Sequence, residues 1–206
     1  MPGMIRPTIS QTAVTATFVP FALLLSVALL AAEQTETLDH TRLMVSTWVS
    51  LGFATVALSL FVFPRTRAGQ YELLTWTLSF AAYLVHFYYA FGVKYGFSIA
   101  RTYAGQGAVI ASSNFALTAL WTFDVAASWL ARSAPRWLAI ERAVARIYVF
   151  AVFIMSAVII FGGFVRVLGI AMIAAVASCI AVRIFAVLAR RAHGTQTDSV
   201  ATDAVT

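Results

Sequence analysis

Asp124 is an acidic residue inside a long apolar run, ALWTFDVAASWL at 119–130, in a chain of 206 residues of which 11% are charged. If this run spans a membrane, a lone charge in its middle costs about 2.5–3.5 kcal/mol, so the carboxylate is expected to have a partner, face water or hold a proton. We expect Arg183, at a similar depth in the last apolar run, to be its first partner and Glu72 to be a second neighbour. Such a cluster either orders the helices or serves as a relay or gate.

His86 lies in another apolar run, and that run also carries a polar stripe. Spacings of three and four residues place six polar or small side chains on one helical face, namely Glu72, Thr75, Ser79, Ala82, His86 and Tyr89. The next run has a sector formed by Ser113, Asn114, Thr118, Trp121, Asp124 and Ser128. Because consecutive spans are antiparallel, we expect His86 to lie near Asn114, and Glu72 near Asp124. The candidate ligand contacts in this seam are His86, Tyr89, Asn114, Thr118 and Trp121.

A polar seam between two helices suits a proton route, a small-solute path or a buried polar pocket. Plain hydrogen bonding between packed helices needs the same residues. A second, aromatic stripe on the same helix favours packing and consists of Trp76, Phe80, Tyr83, Phe87 and Phe91.

The sequence contains no set of metal-ligating or cofactor-binding side chains that would identify a cofactor. Bis-histidine haem needs a second histidine inside a span, and His40 is expected about 10 Å nearer the membrane surface than His86 from the helical rise. The sequence therefore contains no set of residues that would bind haem, a pigment or a quinone, although the aromatic stripe could contact one of them. Zinc-binding HExxH, serine GxSxG and phosphate-binding glycine motifs are absent. We predict no metal site and assign no catalytic residue, and the lone Cys179 forms no intramolecular disulfide.

Composition predicts that a membrane surrounds these residues. The chain is 61% hydrophobic with a mean hydropathy of +0.87, whereas a soluble domain carries about 25% charged residues. Six apolar segments approach the roughly 20 helical residues that cross a bilayer core, at 11–32, 43–63, 71–93, 107–131, 144–163 and 167–188. We predict an all-α, polytopic membrane helical bundle with six transmembrane helices and one domain, residues 1–192.

Two segments outside these spans have a character of their own. The sequence SAPRWLAIERAVAR, 133–146, places Trp137, Ile140 and Val144 on one helical face with arginines opposite, which is typical of a basic amphipathic helix lying on a membrane. The alternative is that the fifth span simply extends into water. Residues 193–206 are small and polar, which predicts a disordered cytoplasmic tail.

The placement of basic residues predicts the orientation. With the N-terminus inside, ten of them lie at cytoplasmic ends, and the outer loops hold Arg42, Lys94, Arg101 and Arg166. Because cytoplasmic loops carry excess lysine and arginine, both termini are predicted to be cytoplasmic. A cleaved first segment would leave five spans, but its apolar stretch exceeds the ~7–15 residues usual for a signal peptide. The preference for arginine and alanine points to a bacterial cell, and hence to its inner membrane.

Three classes of function follow from these features. The first is an accessory or interaction subunit of a larger membrane assembly, whose partners are other subunits or further copies of the chain; the small size and short loops favour it. The second is a proton or small-solute transporter or channel that uses the polar seam. The third is a membrane enzyme acting on a lipid or quinone, with His86 or Asp124 as acid or base. The net charge of +6 lies mostly in loops and helix ends, so no nucleic-acid partner is expected, and the lack of a nucleophile argues against an enzyme.

Overall fold

The computed structural model of the chain describes residues 8–33, 38–63, 69–131, 135–160 and 162–203, with side chains in the last range described as far as 190. Within these ranges the chain is helical and contains no strand, which confirms the all-α prediction. The α-helices are α1 (Gln11–Ala32), α2 (Leu38–Phe61), α3 (Gly69–Phe87), α4 (Ile99–Gln106), α5 (Ala108–Leu130), α6 (Arg136–Ile154) and α7 (Gly163–Asp203). Two π-helical segments, Tyr88–Lys94 and Met155–Ile160, directly continue α3 and α6.

Five helices are long and apolar enough to cross a membrane. They are α1, α2, α5, α6 with its π-helical segment, and α7 as far as Arg190. These helices indicate a membrane protein. α3, which corresponds to the third of the six predicted spans, is not among the five, and its 19 residues include Glu72, Thr75 and His86.

The pairing of α2 with α3 is the most extensive helix contact in the described bundle. Small side chains allow the close approach: Ser46, Ser50 and Ser79 are buried. The hydroxyls of Ser50 and Ser79 each donate to the other residue's backbone carbonyl, at 3.0 and 2.7 Å. Small residues and interhelical hydrogen bonds are typical of packed membrane helices. α1, α6 and α7 also contact α2, and α5 packs against α3 and α6.

The start of α6 differs from the predicted surface helix. α6 begins at Arg136 and runs unbroken to Ile154, so the described part of 133–146 belongs to the long helix, and residues 133 and 134 lie outside the described ranges. Its apolar face is outward, with Trp137 57% exposed, while Arg146 is only 2% exposed. An apolar face toward lipid and an arginine toward the bundle are what a membrane-embedded helix requires.

α7 is longer than the predicted sixth span. It starts at Gly163, whose φ of 63° is a conformation that favours glycine. The helix continues to Asp203, whereas the sequence predicts disorder over 193–206, of which 204–206 lie outside the described ranges. The segment from 193 contains one glycine and no proline, so no residue in it forces the helix to end.

Candidate functional site: a charge cluster and a separate cavity

Arg146 joins two carboxylates from different helices inside the bundle. Its Nε and Nη2 donate to Oε1 of Glu72 on α3, at 3.0 and 2.7 Å. Its Nη1 donates to both carboxylate oxygens of Asp124 on α5, at 2.9 and 3.0 Å. Arg146, Glu72 and Asp124, here called the charge cluster, are 2%, 5% and 0% exposed. The indole Nε1 of Trp76 donates to Oδ2 of Asp124 at 2.6 Å.

The guanidinium of Arg146 is also enclosed by aromatic rings. It lies 4.8 Å from the ring centroid of Phe61 and 4.6 Å from that of Trp76. Its Nη1 donates a further bond to the backbone carbonyl of Arg142 at 3.2 Å. Arginine suits this setting because its planar guanidinium binds carboxylates and stacks on aromatic faces at once. The charge cluster therefore ties α3, α5 and α6 together.

Arg183 is not the partner that the structure gives to Asp124. Its exposed guanidinium donates instead to the backbone carbonyl of Val62, just beyond α2. The predicted Asp124–Arg183 pair is corrected to Asp124–Arg146, while Glu72 lies in the same cluster. Matching depth suggests Arg183, but depth does not tell which way a side chain points from its helix.

Four aromatic side chains close the bundle beside the charge cluster. The ring centroid of Trp121 lies 4.8 Å from that of Trp76, 5.5 Å from Phe80 and 5.7 Å from Phe153. Trp76 and Trp121 have no exposed surface. These four residues, here called the aromatic layer, divide the polar groups of the seam into two separate zones.

The second zone is a cavity of about 590 Å³ among α2, α3, α5 and α6, beyond the aromatic layer. Its floor is partly apolar and includes Leu51, Leu117 and Phe153. Polar residues at its mouth, the end where α2 begins, are Asp39, His40, Tyr89, Lys94, Tyr95 and Gln106. Polar residues deeper in it are Thr47, Ser50, Tyr83, His86 and Asn114, and Ser156 also lines it. The cavity thus combines apolar walls with a few convergent polar groups, as small-molecule sites do.

Both π-helical segments line this cavity. The first contributes Ala90 and Val93, and the second contributes Ser156 and Ala157. A π-helical turn inserts an extra residue into an α-helix, which shifts the side chains that follow and often marks a functional site. Both interruptions of regular α-helix therefore coincide with the cavity lining.

His86 is fixed to α2 through one ring nitrogen. Its Nδ1 lies 3.0 Å from the carbonyl oxygen of Leu43 and 2.6 Å from the hydroxyl of Thr47. Asn114 also lines the cavity, but its amide Nδ2 donates to Oε1 of Gln106 at 3.0 Å. His86 and Asn114 thus face the same cavity, each held by a different partner.

Tyr83 connects the cavity to α5. Its hydroxyl lies 2.7 Å from Oγ1 of Thr118 and 3.3 Å from the carbonyl oxygen of Asn114. The ring of Tyr83 stacks on Trp121, with centroids 5.4 Å apart. Tyr83 therefore links the polar lining to the aromatic layer. The sequence placed Tyr83 in the aromatic stripe, which did not predict that its hydroxyl would bond to α5.

The remaining candidates occupy different places. Tyr89 lies at the cavity mouth, where the guanidinium of Arg42 is 5.8 Å from its ring centroid. Trp121 belongs to the aromatic layer. Arg146 and Thr47 were missed as site residues; the arginine had one usable signal, since it lies opposite the apolar stripe of its helix.

No protein-family model, no curated protein and no solved structure matches this chain. Among the described residues, no group of three or more histidine, cysteine, aspartate or glutamate side chains could hold a metal ion. The chemistry available is therefore that of the cavity and of the charge cluster, and function must be argued from these sites.

Proposed function

We propose that this chain is a membrane protein that binds a small amphiphilic molecule in the cavity beside His86. The carrying observation is the cavity itself: its volume of about 590 Å³ falls within the range of ~300–1,000 Å³ typical of ligand pockets. The two π-helical segments on its walls support a binding role. A quinone, a pigment or haem is an amphiphile of the kind that such a site admits.

Binding is better supported than conduction. The fully buried Trp76 and Trp121 stand between the cavity and the charge cluster. The acidic groups of the charge cluster are also occupied by Arg146, so this arrangement favours a structural role for Asp124. A proton or small-solute path through the seam needs the aromatic layer to move.

The ligand test compares two cavity-filling variants with a matched surface variant. Ala90 and Ile110 both line the cavity, whereas Ala119 is exposed on α5. The protein is purified from its membrane in mild detergent, extracted with organic solvent and analysed by mass spectrometry. We expect a small molecule in the wild type and in Ala119→Phe that is depleted in Ala90→Phe and Ile110→Trp. Equal recovery from all four proteins would exclude the cavity as the binding site.

We infer the orientation and the sixth span from the arginine pattern and from the unbroken run of α3 into its π-helical segment. α3 then crosses a bacterial inner membrane with both termini in the cytoplasm, and the cavity mouth faces outward. A Cys179→Ala background removes the native thiol. Arg101→Cys, in α4, should then react with a membrane-impermeant maleimide in intact cells, while Arg136→Cys should react only after permeabilisation. The reverse pattern would overturn the orientation.

A second candidate function, an accessory subunit, is favoured by α7. Only 6% of its membrane-length window is buried, compared with 44% for α2. Partner helices or lipid would cover such a face. The test places a photo-crosslinker at Ile170 on α7, which is 52% exposed, and compares it with the same crosslinker at Leu23 on α1, which is 61% exposed. The crosslinker at Ile170 should capture a stoichiometric partner protein, and the crosslinker at Leu23 should not. Capture of lipid alone at both positions would count against this candidate.

A further inference from the structure

Two hydroxyl groups in the deep part of the cavity donate their hydrogens to backbone carbonyls. The hydroxyl of Thr47 donates to the carbonyl of Leu43 at 2.9 Å, and that of Ser50 donates to the carbonyl of Ser79 at 3.0 Å. A hydroxyl has one hydrogen and two lone pairs. Thr47 and Ser50 therefore offer only acceptor oxygens to a ligand.

The hydroxyl of Tyr83 also donates its hydrogen to the protein. Thr118 donates its hydroxyl hydrogen to the carbonyl of Asn114 at 2.8 Å. The hydroxyl of Tyr83, 2.7 Å from Oγ1 of Thr118, is then the donor in that contact. The amide of Asn114 uses one hydrogen on Gln106 and keeps one. Beside His86, acceptors therefore outnumber donors, and Ser156 on the second π-helical segment contributes a further hydroxyl to the lining.

His86 adds another acceptor. Nδ1 lies 3.0 Å from the carbonyl oxygen of Leu43 and 2.6 Å from Oγ1 of Thr47, and the hydroxyl of Thr47 itself donates to that carbonyl at 2.9 Å. A hydrogen on Nδ1 satisfies all three contacts, whereas a bare Nδ1 would face the carbonyl oxygen lone pair to lone pair, so we assign the hydrogen to Nδ1. In a neutral imidazole the other nitrogen, Nε2, then carries a lone pair. Because Nδ1 is engaged by α2 and the ring lines the cavity, Nε2 is the nitrogen available to a ligand.

We propose that the cavity ligand carries a hydroxyl group and donates its hydrogen to Nε2 of His86. Its apolar body lies against Leu51, Leu117 and Phe153, which line the same cavity. The ligand class is an apolar alcohol or phenol, including the reduced, quinol form of a quinone. A molecule with only carbonyl or ether oxygens would place an acceptor against the lone pair of Nε2. This inference rests on the proposed binding function.

The test uses a pair of probes, 4-hexylphenol and its methyl ether, which differ in the single hydrogen at issue. Affinities are measured by equilibrium binding to purified wild type, His86→Phe and Ala90→Phe. We expect the phenol to bind wild type about tenfold more tightly than the ether, because the ether leaves Nε2 without a partner. The two probes should bind His86→Phe equally, and Ala90→Phe should lose both. His86→Leu serves if His86→Phe does not fold.

The other outcomes are distinguishable. Equal binding of both probes to wild type, lost in Ala90→Phe, would overturn the hydroxyl inference and leave the cavity as a binding site. Binding of neither probe would overturn the proposed function as well. A haem absorption band in the purified protein that His86→Phe abolishes would assign Nε2 to iron, since a ligating histidine is commonly held in the same way through its other nitrogen.

Discussion

Replacing Arg146 with methionine tests whether the charge cluster holds the bundle together. The substitution keeps an unbranched side chain but removes the cation from Glu72 and Asp124, which are 5% and 0% exposed. Four hydrogen bonds to the two carboxylates are lost, whereas the bond from Trp76 to Asp124 remains. Breaking a buried ion pair on one side costs about 3–5 kcal/mol. We expect a loss of this size in the free energy of unfolding, measured by denaturant titration in bicelles.

The control for this prediction is Arg183→Met, because Arg183 is exposed and its change should cost within about 0.5 kcal/mol. Neutralising the carboxylates as well, in Arg146→Met with Glu72→Gln and Asp124→Asn, should recover much of the loss, since Glu72 and Asp124 then leave no unpaired negative charge in the bundle. Equal unfolding free energies for Arg146→Met and Arg183→Met would show that the charge cluster does not hold the bundle together.

Two further changes probe single contacts. Trp76→Phe removes the indole donor to Asp124 and should cost about 1.5–3 kcal/mol in the same titration, as bonds to charged groups do; a cost near zero would mean that water replaces the indole. Gly169→Val should cost about 1–3 kcal/mol, because even a Cβ at Gly169 would lie 2.9 Å from that of Ala157. Gly52→Ala meets nothing within 4 Å and should instead stabilise α2 by roughly 0.5–1 kcal/mol; equal destabilisation by both glycine changes would contradict this packing.

The long helices followed from the sequence because apolar length is a local property. The span predicted at 107–131 and α5 (Ala108–Leu130) agree within one residue. The start of α6 was harder, since an apolar stripe opposite arginines fits either a helix on the membrane surface or one inside it. Only the packing of α6 against α3 and α5 decides that Arg146 faces inward.

The site depended more strongly on packing. Residue type alone identified Asp124 and His86 as polar groups within apolar runs, but their partners, Arg146 and Thr47, come from other helices whose rotation is set by contacts along their whole length. Two π-helical segments line the cavity, and Met155–Ile160 itself contains no proline or glycine that would predict a departure from α-helix. A single sequence therefore indicates which groups need partners, and the folded bundle determines which partners they find.

Native mass spectrometry of the intact protein, released from mild detergent, is the most direct test of ligand binding in the cavity beside His86. We expect a wild-type protomer that carries one small molecule, the same mass increment on Ala119→Phe, and its loss from Ala90→Phe while that variant remains folded. A bare wild-type protomer, or an increment that persists with Ala90 replaced by phenylalanine, would contradict binding in the cavity beside His86.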